Sequence, residues 1–441
     1  MIRSRTSGGR ARGPLALVAT LVVALAVLAG QATGAGTATT TLVVQNGEGG
    51  NDARIASLKR LDALFEKANP GVTIKHVSKS YADLVKTDAL QLSGSNPPDV
   101  THVNQGLGDL GQLVRANLLT PLDSYAARYG WGKRQSAQLL TIDGRATADG
   151  KIGSGKLYGI STTGDWVGVF YNKAELKALG IAVPKTLAAF ERALAKAKAA
   201  GKTPIAFGNL DKWPGIHEFQ SVLMAIAPPA QVGSTIFGKS GTKWSTPAVL
   251  KAAATVQKWA KAGYYSDGFA GLGYDDATKR FQQGGAVFTI TGTWKAGDMA
   301  TALGSKVGLM LLPSARAGAA AGALASGGLA WAIPAKAKDK ALSAKYIDFI
   351  TSPAAAKVIQ AAGDVPAIPL KSSGVSGVRG DALAGWAKLS KSGAMAGYMD
   401  WATPTFYDTV TAAVQELMAD RITPAAFAKK LDADYLKFHR G

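Results

Sequence analysis

The twenty residues from Leu157 to Leu176 change structural mode three times, and no other stretch restricts the fold as much. Leu157-Tyr158-Gly159-Ile160 reads as a strand, and Ser161 to Asp165 as a turn-rich break. Trp166, Gly168 and Phe170 then alternate with Val167, Val169 and Tyr171, the period of a buried strand. Asn172 caps a following helix. With Asn172 at N-cap and Glu175 at N3, each side chain can satisfy an orphan amide of the first turn, and Gly180 stops the helix.

Upstream, the modes alternate in the same way. Thr41 to Gln45 is a strand, Asn46-Gly47-Glu48-Gly49-Gly50 a flexible loop, and the next helix carries Ile55, Leu58, Leu61 and Phe65 on one face. Asn69-Pro70-Gly71 ends it; Val72 to Val77 is a strand, Tyr81 to Leu92 a helix, and Pro97-Pro98-Asp99-Val100 leads into a buried third strand. Strand, helix, strand, helix, strand implies a parallel or mixed α/β sheet with its loops on one edge. Further on, Pro204 to Phe207 reads as a strand, and Pro247 opens a helix at N1. At 441 residues the chain is long enough for two such cores.

Residues 1–13 are basic without an acid, and Leu15 to Ala29 is an apolar run of signal-peptide length, shorter than a membrane span. An export signal and leader are therefore expected over residues 1–38, with the mature domain starting near Thr41. Leu28-Ala29-Gly30 resembles the start of a lipobox, but Gln31 stands where the lipidated cysteine would be. The expected location is extracellular or at the cell envelope. Loss of Arg3, Arg5, Arg10 and Arg12 takes four from the formal charge of +20 and leaves +16. Lys185, Lys196, Lys198, Lys202, Lys336, Lys338, Lys340 and Lys345 fall on outer helix faces rather than one aromatic-interleaved patch, so no nucleic-acid partner is expected.

Several chemistries drop out. The chain has no cysteine, and His76, His102, His217 and His439 show no ligand spacing, so neither a metal nor another cofactor is expected. Gly233-Ser234-Thr235-Ile236-Phe237-Gly238-Lys239-Ser240 matches the P-loop formally, but Pro228-Pro229 and Gly241-Thr242 supply neither the strand before it nor the helix after it. No serine sits in a Gly-x-Ser-x-Gly elbow. Glycoside hydrolysis stays open, since it asks for two carboxylates across a sugar and Glu48, Asp165 and Asp400 are candidates.

Three groups of residues carry a resemblance. They are the tyrosine-rich strand running into Asn172-Lys173 after Tyr158-Gly159-Ile160, the opening Phe65-Glu66-Lys67-Ala68-Asn69-Pro70-Gly71-Val72 with Pro98-Asp99-Val100, and Gly208-Asn209, Trp213-Pro214 and His217. Together they resemble the family 1 extracellular solute-binding proteins of carbohydrate ABC importers, the last group most closely its raffinose, melibiose and multiple-sugar branch. The resemblance runs over nearly all of residues 41–440. It implies a two-lobed α/β fold of the periplasmic-binding-protein type II, maltose-binding-protein-like, each lobe a mixed sheet flanked by helices. The lobes would be discontinuous, 41–163 with 329–365 and 166–326 with 368–441. Passes of the chain at the Asp165 stretch, at Ser326 to Ile333 and at Ala362 to Ala367 would form the hinge.

A sugar offers a flat C–H face and a rim of hydroxyls, matched by aromatic rings and short polar side chains. In the implied inter-lobe loops these are Asn46, Glu48, Asn104 and Gln105 from the first lobe, and Asn209, Trp213, His217, Trp294, Asp400 and Trp401 from the second. Asp165 and Trp166 sit at the hinge edge, Tyr407 near the cleft by family position, and Gly328 at the bend of the return pass. No arginine falls in these loops, which speaks against a ligand with a free carboxylate. The expected function is therefore to bind a sugar, as a monomer without catalysis, and deliver it to the permease subunits of an ABC importer by hinge closure. The rivals are a secreted glycoside hydrolase or lyase and a receptor for another solute, such as a polyamine, phosphate ester or peptide.

Overall fold

The computed structural model describes residues 39–316, 318–368, 370 and 374–439, so the expected export signal and leader lie outside the described residues. In chain order, the elements that frame the site begin with β1 (Thr40–Asn46), α1 (Asp52–Ala68), β2 (Val72–Ser78), α2 (Tyr81–Ser93), β3 (Val100–Val103), β4 (Ile160–Ser161), β5 (Gly164–Asn172) and α3 (Lys173–Ala178). They continue with α4 (Pro214–Ile226), β6 (Phe288–Gly292), α5 (Ala296–Leu303), β7 (Val307–Met310), β8 (Ala323–Gly327), β9 (Ala330–Ala332), α6 (Gly377–Ser392), β10 (Met395–Ala396) and α7 (Phe406–Met418).

Two mixed sheets result, as the alternation of strands and helices requires. The first has the order β2-β1-β3-β9-β4, with β1 parallel to β2 and β3, and β9 antiparallel to β3 and β4. The second has the order β10-β8-β5-β6, and β7 also pairs with β5; β5 runs antiparallel to β6, β7 and β8. Each sheet carries its own apolar core, around Phe65, Trp331 and Tyr346 in one and Phe219, Trp259 and Phe288 in the other. Among the described residues the backbone passes between sheets at three places. Thr162 and Thr163 join β4 to β5, and Gly328 and Leu329 join β8 to β9. The third pass lies beside the first: Pro366 bridges Thr163, and the Gly164 amide donates to the Val365 carbonyl at 2.9 Å.

Local chemistry accounts for most element boundaries and for three departures from the sequence reading. Asn172 caps α3 by accepting from the amides of Ala174 (2.9 Å) and Glu175 (3.2 Å), and Gly180 follows the helix at φ +58°. The reciprocal half of the capping box does not form. The Asn172 amide is already bonded to the Val287 carbonyl, and Glu175 pairs with Lys202 instead. The expected strand Pro204 to Phe207 is reduced to two isolated bridges at Ile205, to Tyr265 and to Phe288. Pro204 has no amide to give a ladder, and the Phe207 amide bonds the Ser266 hydroxyl. On α1 the buried stripe is Arg54, Leu58, Leu61 and Phe65, at i, i+4, i+7 and i+11, while Ile55 is only half-buried. The apolar face thus begins one residue early, on a charged side chain. In the P-loop lookalike, a helix (Pro229–Ile236) precedes the Gly238-Lys239 pair, the reverse of what phosphate binding requires.

Candidate ligand-binding site

A cavity of about 180 Å³ lies between the two sheets. One trapped water needs only about 10–15 Å³, so this is room for a guest rather than a packing flaw. The first sheet's side contributes the loop after β1 with Glu48, the start of α2 with Tyr81, and the exit of β3 with Asn104 and Gln105. From the other side come Trp213 just before α4 and His217 within it, Tyr274, Trp294 after β6, and Tyr398, Asp400 and Trp401 before α7.

The second side's aromatics form one connected wall. Trp213 lies 4.3 Å from Tyr274 and 5.0 Å from His217 between ring centroids, and His217 lies 5.6 Å from Trp294 and 5.5 Å from Tyr398. Its geometry is fixed from behind. Trp294 donates its indole N–H to the Tyr274 hydroxyl at 2.8 Å, and that hydroxyl is 2.8 Å from Thr291 Oγ1 on β6. Trp213 is aimed by a strained turn, in which Lys212 adopts φ +68° and Asn209 Oδ1 accepts the Gly215 amide at 2.8 Å. Burial lowers the His217 pKa to about 3, so its ring is neutral and offers one donor and one acceptor.

The floor is organised by Arg54. Its Nε and Nη2 donate to Asp364 at 2.6 and 2.9 Å, its Nη2 and Nη1 donate to Asp165 at 2.6 and 3.2 Å, and Nη1 reaches Glu48 at 3.5 Å. Burial alone would disfavour the guanidinium's charge, yet Asp165, Asp364 and Glu48 outweigh it and raise its pKa. Three carboxylates share one cation, so the last to ionise meets an unfavourable field. Asp364 carries that cost: burial pushes its pKa up to about 6, although Arg54 pulls the other way. The cluster ties α1 of the first lobe to the start of β5 and to the third pass. No arginine stands in the inter-lobe loops, but Arg54 reaches the cavity from α1. Both faces of the Arg54 fork are taken, leaving nothing free for a ligand carboxylate.

The lobes also touch directly. Lys295 donates to the Gly50 carbonyl at 2.6 Å and pairs with Asp275 at 3.0 Å. Asn51 makes no side-chain cap, and Asp298 of α5 accepts the Ala53 amide at 3.1 Å, so the second lobe caps α1. Tyr81 meets Trp213 edge-on at 6.0 Å.

Of the residues expected at the site, Glu48, Asn104, Gln105, Asp165, Trp213, His217, Trp294, Asp400, Trp401 and Tyr407 line this cavity. Trp166, Asn46, Asn209 and Gly328 do not. Strand alternation turns Trp166 to the opposite face from Asp165, where its N–H donates to the Ala382 carbonyl at 3.0 Å and it borders a separate open groove of about 880 Å³ behind β5. Asn46 spends its amide on Ser78 and its carbonyl oxygen on the Glu48 amide, and Asn209 holds the Trp213 turn as described. Gly328 serves the bend: a Cβ there would lie 2.2 Å from Thr163 Oγ1 and 2.9 Å from Asp165 Oδ2. Its carbonyl accepts from Gln105 (2.8 Å) and Ser161 (2.6 Å), so the return pass is held by first-lobe side chains. Sequence reasoning missed Arg54, Tyr81, Tyr274 and Tyr398. Only Arg54 left a signal, an ionic side chain on the helical period of Leu58, Leu61 and Phe65.

The sequence model of the bacterial extracellular solute-binding proteins matches residues 61–374. A multiple sugar-binding protein of Streptococcus mutans is 25% identical over 341 residues, which are 74% of this chain and 74% of that one. A maltooligosaccharide ABC transporter solute-binding lipoprotein of Streptococcus pneumoniae is 27% identical over 244 residues, 51% of this chain and 53% of that protein. Among solved structures, a chitin oligosaccharide binding protein superposes with a TM-score of 0.75 at 22% identity, covering 91% of this chain and 99% of the other. The raffinose complex of the RafE solute-binding protein gives 0.69 at 20% identity, over 90% and 99%. At these identities the structures establish the two-lobed fold.

Proposed function

Because the chain belongs to the bacterial extracellular solute-binding protein family, we propose that it captures a sugar, an oligosaccharide by its relatives' example, and presents it to the permease of an ABC importer. The observation that carries this reading is the composition of the inter-lobe cavity. Trp213, Tyr274 and Trp294 offer ring faces on one side, and Asn104, Gln105 and Asp400 offer hydrogen-bonding groups around them. This pairing suits the C–H face and hydroxyl rim of a pyranose. We assign residues 41–163 with 329–365 to the first lobe and 166–326 with 368–441 to the second. Ligand contacts from both lobes exist together only when they are closed, so their differential free energy drives closure. The mature chain acts as an exported monomer, extracellular or at the envelope.

We read the protein as non-catalytic. A glycosidase pair needs one free carboxylate beside a protonated one, and Glu48 and Asp165 are both held by Arg54. Titration of tryptophan fluorescence with oligosaccharides, followed by chromatography of the sugar, tests both halves of this reading. Saturable one-to-one binding with the sugar recovered intact is expected, and released products would establish the hydrolase instead.

A further inference from the structure

The acids around the cavity differ in what they are doing. Glu48 and Asp165 are paired with Arg54, Asp275 with Lys295, and Asp211 accepts the Tyr274 amide at 2.7 Å. Asp400 is the exception. Among the described residues it has no ion-pair partner and no donor beyond its own backbone amide, and it faces the cavity. No cation lowers its pKa, and burial raises it to about 7. Around it stand phenol rings: Tyr81, Tyr398 and Tyr407 lie close enough to feel its charge, and Trp401 is its chain neighbour. Ring faces attract cations through their quadrupoles, and an unpaired carboxylate inside a ring-lined hollow is costly until a positive charge meets it.

Charge on the larger scale points the same way. The chain is strongly basic at +20, yet the charged residues lining the cavity are Glu48, Asp165, Asp211, Asp275 and Asp400 against Arg54, with Lys295 beside Asp275. A surplus of acid inside a basic protein is a selective feature of the cleft rather than an echo of composition. Resting on the sugar-binding reading above, we infer that the guest carries a protonated amine, that is, an amino sugar whose ammonium group seats against Asp400 among the tyrosine rings. The ammonium would donate to Asp400 in a charge-assisted hydrogen bond, and the neighbouring hydroxyls would keep Asn104 and Gln105.

Calorimetric titration of the full chain with matched sugars tests this. The probes are glucosamine, N-acetylglucosamine and glucose, the galactose counterparts of all three, and the dimers of chitosan and chitin. Within the bound series the free amine is expected to bind about tenfold more tightly or better than its hydroxyl and acetamido partners, the scale of one charge-assisted bond. Asp400→Asn is expected to abolish that preference, so that amine, hydroxyl and acetamido partners bind alike, its folding checked by the thermal midpoint. The wild-type comparison stands whether or not the variant folds. A hydroxyl or acetamido sugar bound as tightly as its amine would overturn the amine assignment and leave the sugar reading intact. If no member of any series binds, the amine assignment falls and the sugar reading is left to titration with other oligosaccharides.

Discussion

Replacing Arg54 by methionine removes the one cation shared by Glu48, Asp165 and Asp364 and keeps most of the side chain's length. Arg54 is 7% exposed and makes bonds of 2.6 to 2.9 Å to both aspartates, so the three acids would be left in a dry site with no counter-charge. Breaking a buried ion pair by deleting one partner costs about 3–5 kcal/mol, more than the pair itself contributes, because the orphaned charge remains. Urea unfolding at pH 8 should show a loss of that size. The loss should shrink as pH falls toward 5. Asp364 already titrates near 6 with Arg54 present, and without that cation its proton is held more firmly, which relieves the repulsion as pH falls. Arg54→Lys restores a charge without the two-sided fork and should recover about half of the deficit. A change below about 1 kcal/mol, or a deficit unchanged between pH 5 and 8, would refute the view that this cluster fastens the hinge.

Other perturbations separate the roles of neighbouring parts. Trp294→Ala should weaken sugar affinity by about 1–3 kcal/mol by calorimetry, with Trp294→Phe in between, since phenylalanine keeps a ring face but loses the bond to Tyr274. Gly297→Val should weaken binding by about 1–2 kcal/mol without touching a lining residue. A Cβ at Gly297 would sit 2.7 Å from the Ala53 Cβ, so the lobes could not close fully, and small-angle scattering should report a more open chain. The contribution of Asp400 and Asp364 to the ligand-free protein's stability should fall as pH rises from about 4 to about 7, against the opposite contribution of the neutral His217. Asp400 and Asp364 stay protonated in the folded chain where the unfolded chain ionises them, so the slope is at most about 1.4 kcal/mol per pH unit for each group. Asp400→Asn should flatten this dependence in thermal unfolding, most clearly between pH 6 and 7.

The fold was legible because its signals are local. The two-residue period of Trp166 to Tyr171, the Asn172 cap and the Gly180 stop all act within a few residues, and β5 and α3 form where they point. Composition at loop ends was legible too. Trp213 before Pro214 and Trp294 after the β6 strand are indoles placed where a core would not put them, and both reach the cavity. What stayed hidden depends on direction and distance. Asp165 and Trp166 are adjacent in sequence, yet the pleat sends one to the cleft and the other behind the sheet. Asn46 and Asn209 have the right chemistry, but their hydrogen-bonding atoms are consumed by the loops they hold. Tyr81 and Tyr274 open helices and look like ordinary first-turn residues until the two lobes bring both against Trp213. Arg54 meets Asp165 and Asp364 from 111 and 310 residues away, a partnership no local pattern announces.

The most direct test is a thermal-unfolding panel of the full chain against neutral and amino mono- and oligosaccharides, polyamines, phosphate esters and short peptides. A guest held only by the folded state raises the midpoint in proportion to the logarithm of its concentration above Kd. At least one sugar should do so, and Trp213→Ala and Trp294→Ala should each shift that curve to higher concentration. A panel in which every sugar is silent while a peptide, phosphate ester or sugar-free polyamine raises the midpoint would contradict the account.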